Sequence, residues 1–319
     1  MKKISVVIPC YNEEENLEAL YTAVTDIFRN KLSYYDYELL IIDNKSKDRS
    51  REIIRELCVK DIHVKAIFNY VNCGPNTNPF FGLRESEGNC SILLYADFQE
   101  PVDMIPVMVH KWEEGNKVVC MIKSKSEERK IVYFAREIYY SIFRKMSHIE
   151  QIKQFTGFGL YDKSFIEVIR KIDDPTPFVK GIVAEYAPDR IELTYTQQRR
   201  KGGKSSLNFW GYYDSAMLSF TSYTKGGLRV ASVFGIVIAL LSFIIALVYL
   251  FLKIFHWNTF SAGNIPILLS VLFLGGCQLI FIGLLGEYIM SINQRVMNRP
   301  MVVEEERINF AKNEDKLLE

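Results

Sequence analysis

Apolar and polar positions alternate in blocks along the first half of the chain. Ile4-Ser5-Val6-Val7-Ile8 is a short, almost continuous apolar run that gives way to Glu13-Glu14-Glu15. It resembles the core of a signal peptide, but it is short and runs directly into acids, so it predicts a first strand. Similar runs predict strands over Tyr37–Ile42, Val64–Phe68, Ile92–Ala96 and Val118–Ile122. Between them, helical periodicity marks Glu14–Arg29, Asp48–Val59 and Met104–Glu114, the last with Pro106 in its first turn. Strands buried on both faces and alternating with helices predict an α/β domain around a doubly wound, mostly parallel sheet.

The second half changes character. Val230 to Leu252 is 23 residues without a charge, and Ile265 to Gly286 is another 22 interrupted most strongly by Gln278. At about 1.5 Å per residue, each is long enough for the roughly 30 Å core of a bilayer. Lys225 and Arg229 precede the first run and Arg295 and Arg299 follow the second, whereas the connection holds only Lys253 and His256. The positive-inside rule then puts both termini and the first domain in the cytoplasm, at a plasma (inner) membrane crossed twice. The expected organisation is a domain over 1–206, an interfacial helix or linker over 207–227, a two-helix hairpin over 228–290 and a cytoplasmic tail over 291–319. Aromatic Phe209, Trp210, Tyr212 and Tyr213 suit the interfacial helix. Arg129–Lys145, basic with interleaved aromatics, suits an amphipathic helix at a membrane or a solvated helix with a core face. Gly275-Gly276 and Gly283-x-x-Gly286 suit close helix approach, within the hairpin or between protomers of a homo-oligomer.

Polar residues recur at one place, the ends of the strands. Tyr11-Asn12-Glu13 follows the first, Asp43-Asn44-Lys45-Ser46 the second, Asn69 to Asn72 the third and Asp97-Phe98-Gln99 the fourth. Singly, Asn12, Ser46 and Asp48 read as well as caps and turn residues. Together they fall where open α/β sheets bind ligands, outside the carboxyl ends of the strands. Arg199-Arg200-Lys201-Gly202-Gly203-Lys204-Ser205-Ser206 adds a basic loop suited to phosphate, whether on a nucleotide or on a lipid headgroup. Charge narrows the partners: 39 basic and 38 acidic residues balance to +1, which leaves no global field for nucleic acid. Six cysteines without a Cys-x-x-Cys pair fit a reducing compartment and form no zinc site.

Val7-Ile8-Pro9-Cys10-Tyr11-Asn12-Glu13-Glu14, Asp43-x-x-Ser46-x-Asp48, Ala96-Asp97-Phe98-Gln99-Glu100-Pro101 and Arg200-x-x-Gly203-x-Ser205 together resemble family 2 glycosyltransferases. Within that family the likeness is to membrane-anchored polyisoprenyl-phosphate glycosyltransferases of the dolichyl-phosphate mannose synthase and bactoprenol glucosyltransferase type. It extends over nearly the whole chain, including Gly283-x-x-Gly286-Glu287-Tyr288. The resemblance implies a GT-A nucleotide-sugar-binding fold and inverting transfer of a sugar from a nucleotide-diphosphate sugar to a polyprenyl phosphate at the cytoplasmic membrane face. It implies that Pro9, Tyr11, Glu13 and Asp43 line the nucleotide pocket. Asn12, Asn44, Ser46 and Asn72 at the same strand ends, with Lys204 and Ser205 of the basic loop, are further candidate substrate contacts. Asp97 and Gln99 would hold Mg2+ or Mn2+ on the diphosphate, and Arg200 would meet phosphate.

The sequence departs from that pattern in three places, and a fourth residue raises a question of acceptor. Tyr95 stands where relatives have the first carboxylate of Asp-x-Asp, which removes one negative charge from the metal site. Asn44-Lys45-Ser46 stands where they show Asp-Gly-Ser, and Lys45 brings a cation that could offset a missing metal charge. Thr156-Gly157-Phe158-Gly159 lacks the acid and arginine of Thr-Gly-Asp-Phe-Arg. Glu185 falls near the position of a general base in relatives with hydroxyl acceptors, although a structural helix glutamate fits it as well. Two other functions are consistent with these departures: extension of a lipid-linked saccharide through a hydroxyl, and a non-catalytic membrane scaffold that binds nucleotide sugar.

Overall fold

The computed structural model describes residues 1–124, 152–198, 209–224, 226–255 and 264–310. The basic amphipathic stretch Arg129–Lys145 and the phosphate-loop residues Arg200, Lys204 and Ser205 lie outside them. Along the described chain run β1 (Lys3–Cys10), α1 (Leu17–Asn30), β2 (Asp36–Asp43), α2 (Ser50–Lys60), β3 (Val64–Asn69), α3 (Thr77–Glu85) and β4 (Cys90–Leu93). There follow α4 (Met104–Glu113), β5 (Val118–Lys123), β6 (Phe155–Asp162), α5 (Lys163–Lys171), α6 (Val179–Tyr186) and β7 (Ile191–Tyr195). The last elements are α7 (Phe209–Tyr223), α8 (Gly226–Phe255), α9 (Asn264–Val296) and β8 (Glu304–Ile308).

The strands form one sheet in the order β7-β5-β6-β4-β1-β2-β3-β8. Pairing is parallel from β4 through β1 and β2 to β3, and only β6 and β8 run against the common direction. Alternate residues of β1 and β2 feed two cores. Ile4, Val6, Ile8, Leu39 and Ile41 face α1, α2 and α4, while Val7, Leu40 and Ile42 face α3 and share a core with α5 and α6. Each fully buried aliphatic side chain is worth about 1.5–3 kcal/mol, which explains why these strands read as unbroken apolar runs. On the second face α3 lies so close that a Cβ on Gly82 would sit 2.5 Å from Val7 and 2.9 Å from Ile42. Only glycine allows that approach.

The predicted strands and helices of the first 123 residues are present, with α1 starting at Leu17. Four elements had not been read from the sequence: α3, α5, β6 and β8. The last comes from the stretch expected as a tail and pairs antiparallel with β3, Ala66 opposite Ile308. The two long apolar runs lie within α8 and α9, helices of 30 and 33 residues. Among the described residues one segment, Phe273–Val296, is long and apolar enough to cross a membrane. From Glu287 onward α9 bonds to the rest of the molecule. Tyr213 donates to the Glu287 carboxylate at 3.1 Å, Tyr288 to the Thr224 carbonyl at 2.8 Å, and Arg295 to Asp174 at 3.1 Å and Ser222 at 2.9 Å. A Cβ on Gly275, Gly276, Gly283 or Gly286 would meet no described atom within 4 Å, so among the described residues these glycines bring no helices together.

Candidate active site

The chain leaves β1 for β2 and β3 on one side, then returns to place β4 on the other, so the sheet reverses between β1 and β4. A crevice at the carboxyl edge follows from that reversal. The loops after β1, β2 and β4 each carry one non-glycine residue in the left-handed region: Asn12 at φ 56°, Lys45 at 63° and Phe98 at 57°. Such residues cost about 1–3 kcal/mol apiece and persist where surrounding bonds hold them.

Those bonds are visible for the first two loops. Ser46 Oγ accepts from Asn12 N at 2.9 Å, and Asn12 Oδ1 accepts from Lys47 N at 2.7 Å. Ser50 Oγ accepts from Glu13 N at 2.8 Å, and Asp48 from Glu14 N at 3.2 Å. Asn12 and Ser46 therefore weld two loops into one wall. Pro9 and Tyr11 are half-buried on the same stretch, and the Glu13 carboxylate takes a bond of 2.7 Å from Asn16 at the head of α1.

Asn44 and Asn72 belong to a network of amides. Asn44 Nδ2 donates to Asn72 Oδ1 at 3.0 Å and to the Gly74 carbonyl at 3.3 Å, while its Oδ1 accepts from Cys73 N at 2.9 Å and Asn69 Nδ2 at 3.3 Å. Asn69 also donates to Asn78, which donates to the Ile42 carbonyl. All four hydrogen-bonding positions of the Asn44 amide are thus used. It shapes the pocket wall by fixing the loop between β3 and α3, which leaves Asp43 as the acid of this wall.

The Asp43 side chain is fully buried. Ser46 N donates to its two oxygens at 3.2 and 3.3 Å, and Arg51 Nε stands 3.3 Å away. Burial nevertheless pushes its carboxyl above the usual range, with the Ser46 bonds and Arg51 pulling the other way. Arg51 continues to Glu305 of β8, whose Oε2 lies 3.0 Å from Arg51 Nη2 and 2.8 Å from Lys45 Nζ.

On the β4 side, Tyr95 donates to the Thr156 carbonyl at 3.2 Å. Its hydroxyl would also be 3.2 Å from a Cβ on Gly157, whose φ of 108° favours glycine in any case. Tyr95 therefore ties this loop to β6. Asp97 is half-buried and accepts from Gln99 N at 3.1 Å. Gln99 accepts from Gln197 Nε2 at 2.9 Å through its side chain and from Gln198 N at 3.0 Å through its carbonyl. Its amide oxygen is thus already bonded within the protein, with one lone pair beyond that bond. Glu100, not singled out from the sequence, is 3% exposed, and its Oε1 takes a 3.3 Å bond from Thr156 Oγ1. Burial first, and the Asp97 charge second, push it up to about 8.

No group of three or more His, Cys, Asp or Glu side chains among the described residues forms a self-contained metal cage. The donor set fits a cation of the Mg2+ type that is held by one carboxylate, Asp97, and takes its other ligands from substrate phosphate and water. Glu185, the candidate base, is exposed on α6 and lines a cavity with Asp174, Tyr223, Tyr288 and Arg295, where α9 meets the domain. None of the strand-end residues lines that cavity. Arg51 and Glu305 were not legible as site residues, because nothing local marks either one: they reach Asp43 and Lys45 from α2 and from 260 residues further along the chain.

The family model described as glycosyl transferase family 2 matches residues 5–169. The SfII prophage-derived bactoprenol glucosyl transferase of Shigella flexneri is 31% identical over 302 residues, 94% of this chain and 97% of the relative. A prophage bactoprenol glucosyl transferase homolog of Escherichia coli (strain K12) is 30% identical over 302 residues, 94% of this chain and 98% of the relative. Among solved structures, glucosyl-3-phosphoglycerate synthase from Mycobacterium tuberculosis in complex with UDP matches 68% of this chain and 79% of its own at 16% identity, TM-score 0.45. The chain belongs to glycosyl transferase family 2, and its mostly parallel α/β sheet is the family's GT-A fold.

Proposed function

We propose that the protein transfers a sugar from a nucleoside-diphosphate sugar to a polyprenyl phosphate at a membrane surface, with inversion at the anomeric carbon. The observation that carries this reading is the pair of hydrogen bonds that Gln99 accepts from Gln197 and Gln198. It ties the Asp97 loop to the segment that runs straight into the basic residues around Arg200. An anionic acceptor and an anionic leaving group both call for cations beside Asp97. Relatives named bactoprenol glucosyl transferase, similar over nearly their whole length, support the same acceptor class.

In this reading Asp43 receives the nucleoside, and the wall built by Asn12, Ser46, Asn44 and Asn72 holds the pocket open. A phosphate oxygen of the acceptor forms the new bond to the anomeric carbon while the bond to the donor's distal phosphate oxygen breaks and the nucleoside diphosphate departs. A Mg2+ or Mn2+ ion held by Asp97, with Gln99 adjoining, would neutralise charge on the departing diphosphate. Arg200, Lys204 and Ser205 would bind phosphate. A phosphate acceptor is already anionic near neutral pH and needs no base, in keeping with the placement of Glu185 in a different cavity.

The membrane part of the proposal rests on connectivity. α8 follows the domain and β8, after α9, rejoins the same sheet, so the chain that departs in α8 must return in α9. Exposed Val233, Ile236, Leu240, Phe243 and Leu247 on α8, and Ile267, Val271, Phe273, Leu279 and Ile280 on α9, form an apolar surface suited to lipid. Two crossings, with the domain and both termini on the cytoplasmic side, satisfy these constraints.

The test is mass spectrometry of lipid products after the purified full chain is incubated with polyprenyl phosphate and a panel of nucleotide sugars, with and without EDTA. The expected product is a glycosyl-phosphate lipid formed only with the divalent ion. Folded protein that yields no such lipid with any donor would overturn the proposal.

A further inference from the structure

We propose that Glu305, on the strand that follows the last long helix, is a positioning residue for the nucleoside half of the donor site. The inference rests on the reading of Asp43 as part of the donor pocket. One carboxylate oxygen of Glu305 lies 2.8 Å from Lys45 Nζ and 3.0 Å from Arg51 Nη2. The other side of the same guanidinium stands 3.3 Å from Asp43. Four charges thus form a chain, Lys45, Glu305, Arg51 and Asp43, and the one supplied from beyond α9 holds both cations.

Removing it would leave two cations near a single buried acid. Lys45 sits in a left-handed turn at φ 63° between Asp43 and Ser46, so the orientation of its side chain and the shape of that turn are linked. Arg51 is 17% exposed, and its guanidinium lies 5.0 Å from the centre of the Phe68 ring. Deprived of one of its two anionic anchors, it would be held at Asp43 from one side only.

The strand's own attachment does not rest on Glu305 alone. β8 is paired to β3 through its backbone, Tyr70 N donates to the Val303 carbonyl at 2.8 Å, and Glu306 binds Arg55 at 2.7 Å. Glu305 and Glu306 are neighbours on one strand and both meet α2, through Arg51 and Arg55, but only Glu305 also reaches Lys45 and, through Arg51, Asp43. The effect of Glu305 should accordingly appear in nucleotide affinity and not in the step at the anomeric carbon.

The experiment uses the full chain in lipid nanodiscs with UDP as the binding probe, titrated calorimetrically, and UDP-glucose as the donor probe in turnover. Glu305→Gln should raise the Kd for UDP and the KM for UDP-glucose about tenfold, the loss expected for a charge-assisted contact acting through one intermediary. The kcat should stay within about twofold, and Glu305→Asp should recover part of the affinity. Glu306→Gln, which weakens only strand attachment, should bind UDP as the wild type does. Unchanged affinity in Glu305→Gln, or equal weakening in Glu306→Gln, overturns the proposal while Asp43→Ala still loses binding. A wild-type chain that binds UDP no better than Asp43→Ala removes the donor-pocket reading and this proposal with it.

Discussion

Glu38 and Asp43 lie near opposite ends of β2, with 2% and 0% of their surfaces exposed, and their surroundings push them in opposite directions. At the amino end, burial works against the Glu38 charge, but Ser5 Oγ at 2.5 Å, Glu87 N at 3.0 Å and Lys65 Nζ at 2.9 Å more than compensate, and its carboxyl is held below the usual range. At the carboxyl end, Ser46 and Arg51 fall short of the cost of burial, and Asp43 is pushed up. A buried charge whose partners outweigh the cost of its burial serves the fold. A buried acid with incomplete compensation is a place where a ligand can supply what is missing.

The comparison can be broken experimentally, and the largest effect belongs to the active edge. Asp97→Ala should lower transfer by about 1000-fold or more in a steady-state assay, because in the proposed function it removes the one carboxylate offered to the diphosphate's cation. Asp43→Asn should weaken nucleotide binding by about 10- to 100-fold, measured by titration, while its thermal midpoint stays close to that of the wild type. Glu38→Gln should do the reverse: a loss of about 1–3 kcal/mol in denaturant unfolding, since Lys65 keeps only the exposed Glu87, with the donor KM unchanged.

The smallest effect is the sharpest discriminator. Glu38 is depressed when folded, so its stabilisation is present above the unfolded value of 4.5 and is lost as pH falls through the lower folded value. The stability advantage of the wild type over Glu38→Gln should shrink on acidification. Asp43 is raised, so its ionisation costs stability as pH climbs from 3.8 through the folded value. The advantage of the wild type over Asp43→Asn should grow on acidification. Melting curves from pH 3.5 to 7 would show slopes of opposite sign, and slopes of the same sign would erase the distinction between the two ends.

Sequence pattern located the parallel strands of the first half because their runs are almost wholly apolar, and it marked the candidate site because polar residues recur where those strands end. It missed β6, where Thr156-Gly157-Phe158-Gly159 interrupts the run with glycines, one of them at φ 108°. It missed β8 because Glu304-Glu305-Glu306-Arg307 reads as solvated charge. An edge strand tolerates charge on side chains that its neighbours can pair, and here Arg51, Arg55 and Lys45 do so. The division of labour among the asparagines was also invisible, since Asn44 looks like a ligand contact until its four partners are known.

The pairing of β8 with β3 also sets an order of events during synthesis. Ala66 is made early, and its partner Ile308 near the end of the chain. At the usual ribosomal pace of about 5–20 residues per second, β3 waits with one edge open for some tens of seconds. An open edge strand invites mispairing with other chains. Both long helices leave the ribosome within that interval, so the sheet reaches its final width only after the hydrophobic part of the molecule exists. A chain cut short anywhere in α9 would keep its parallel core, yet carry an adhesive edge that marks it for aggregation or removal.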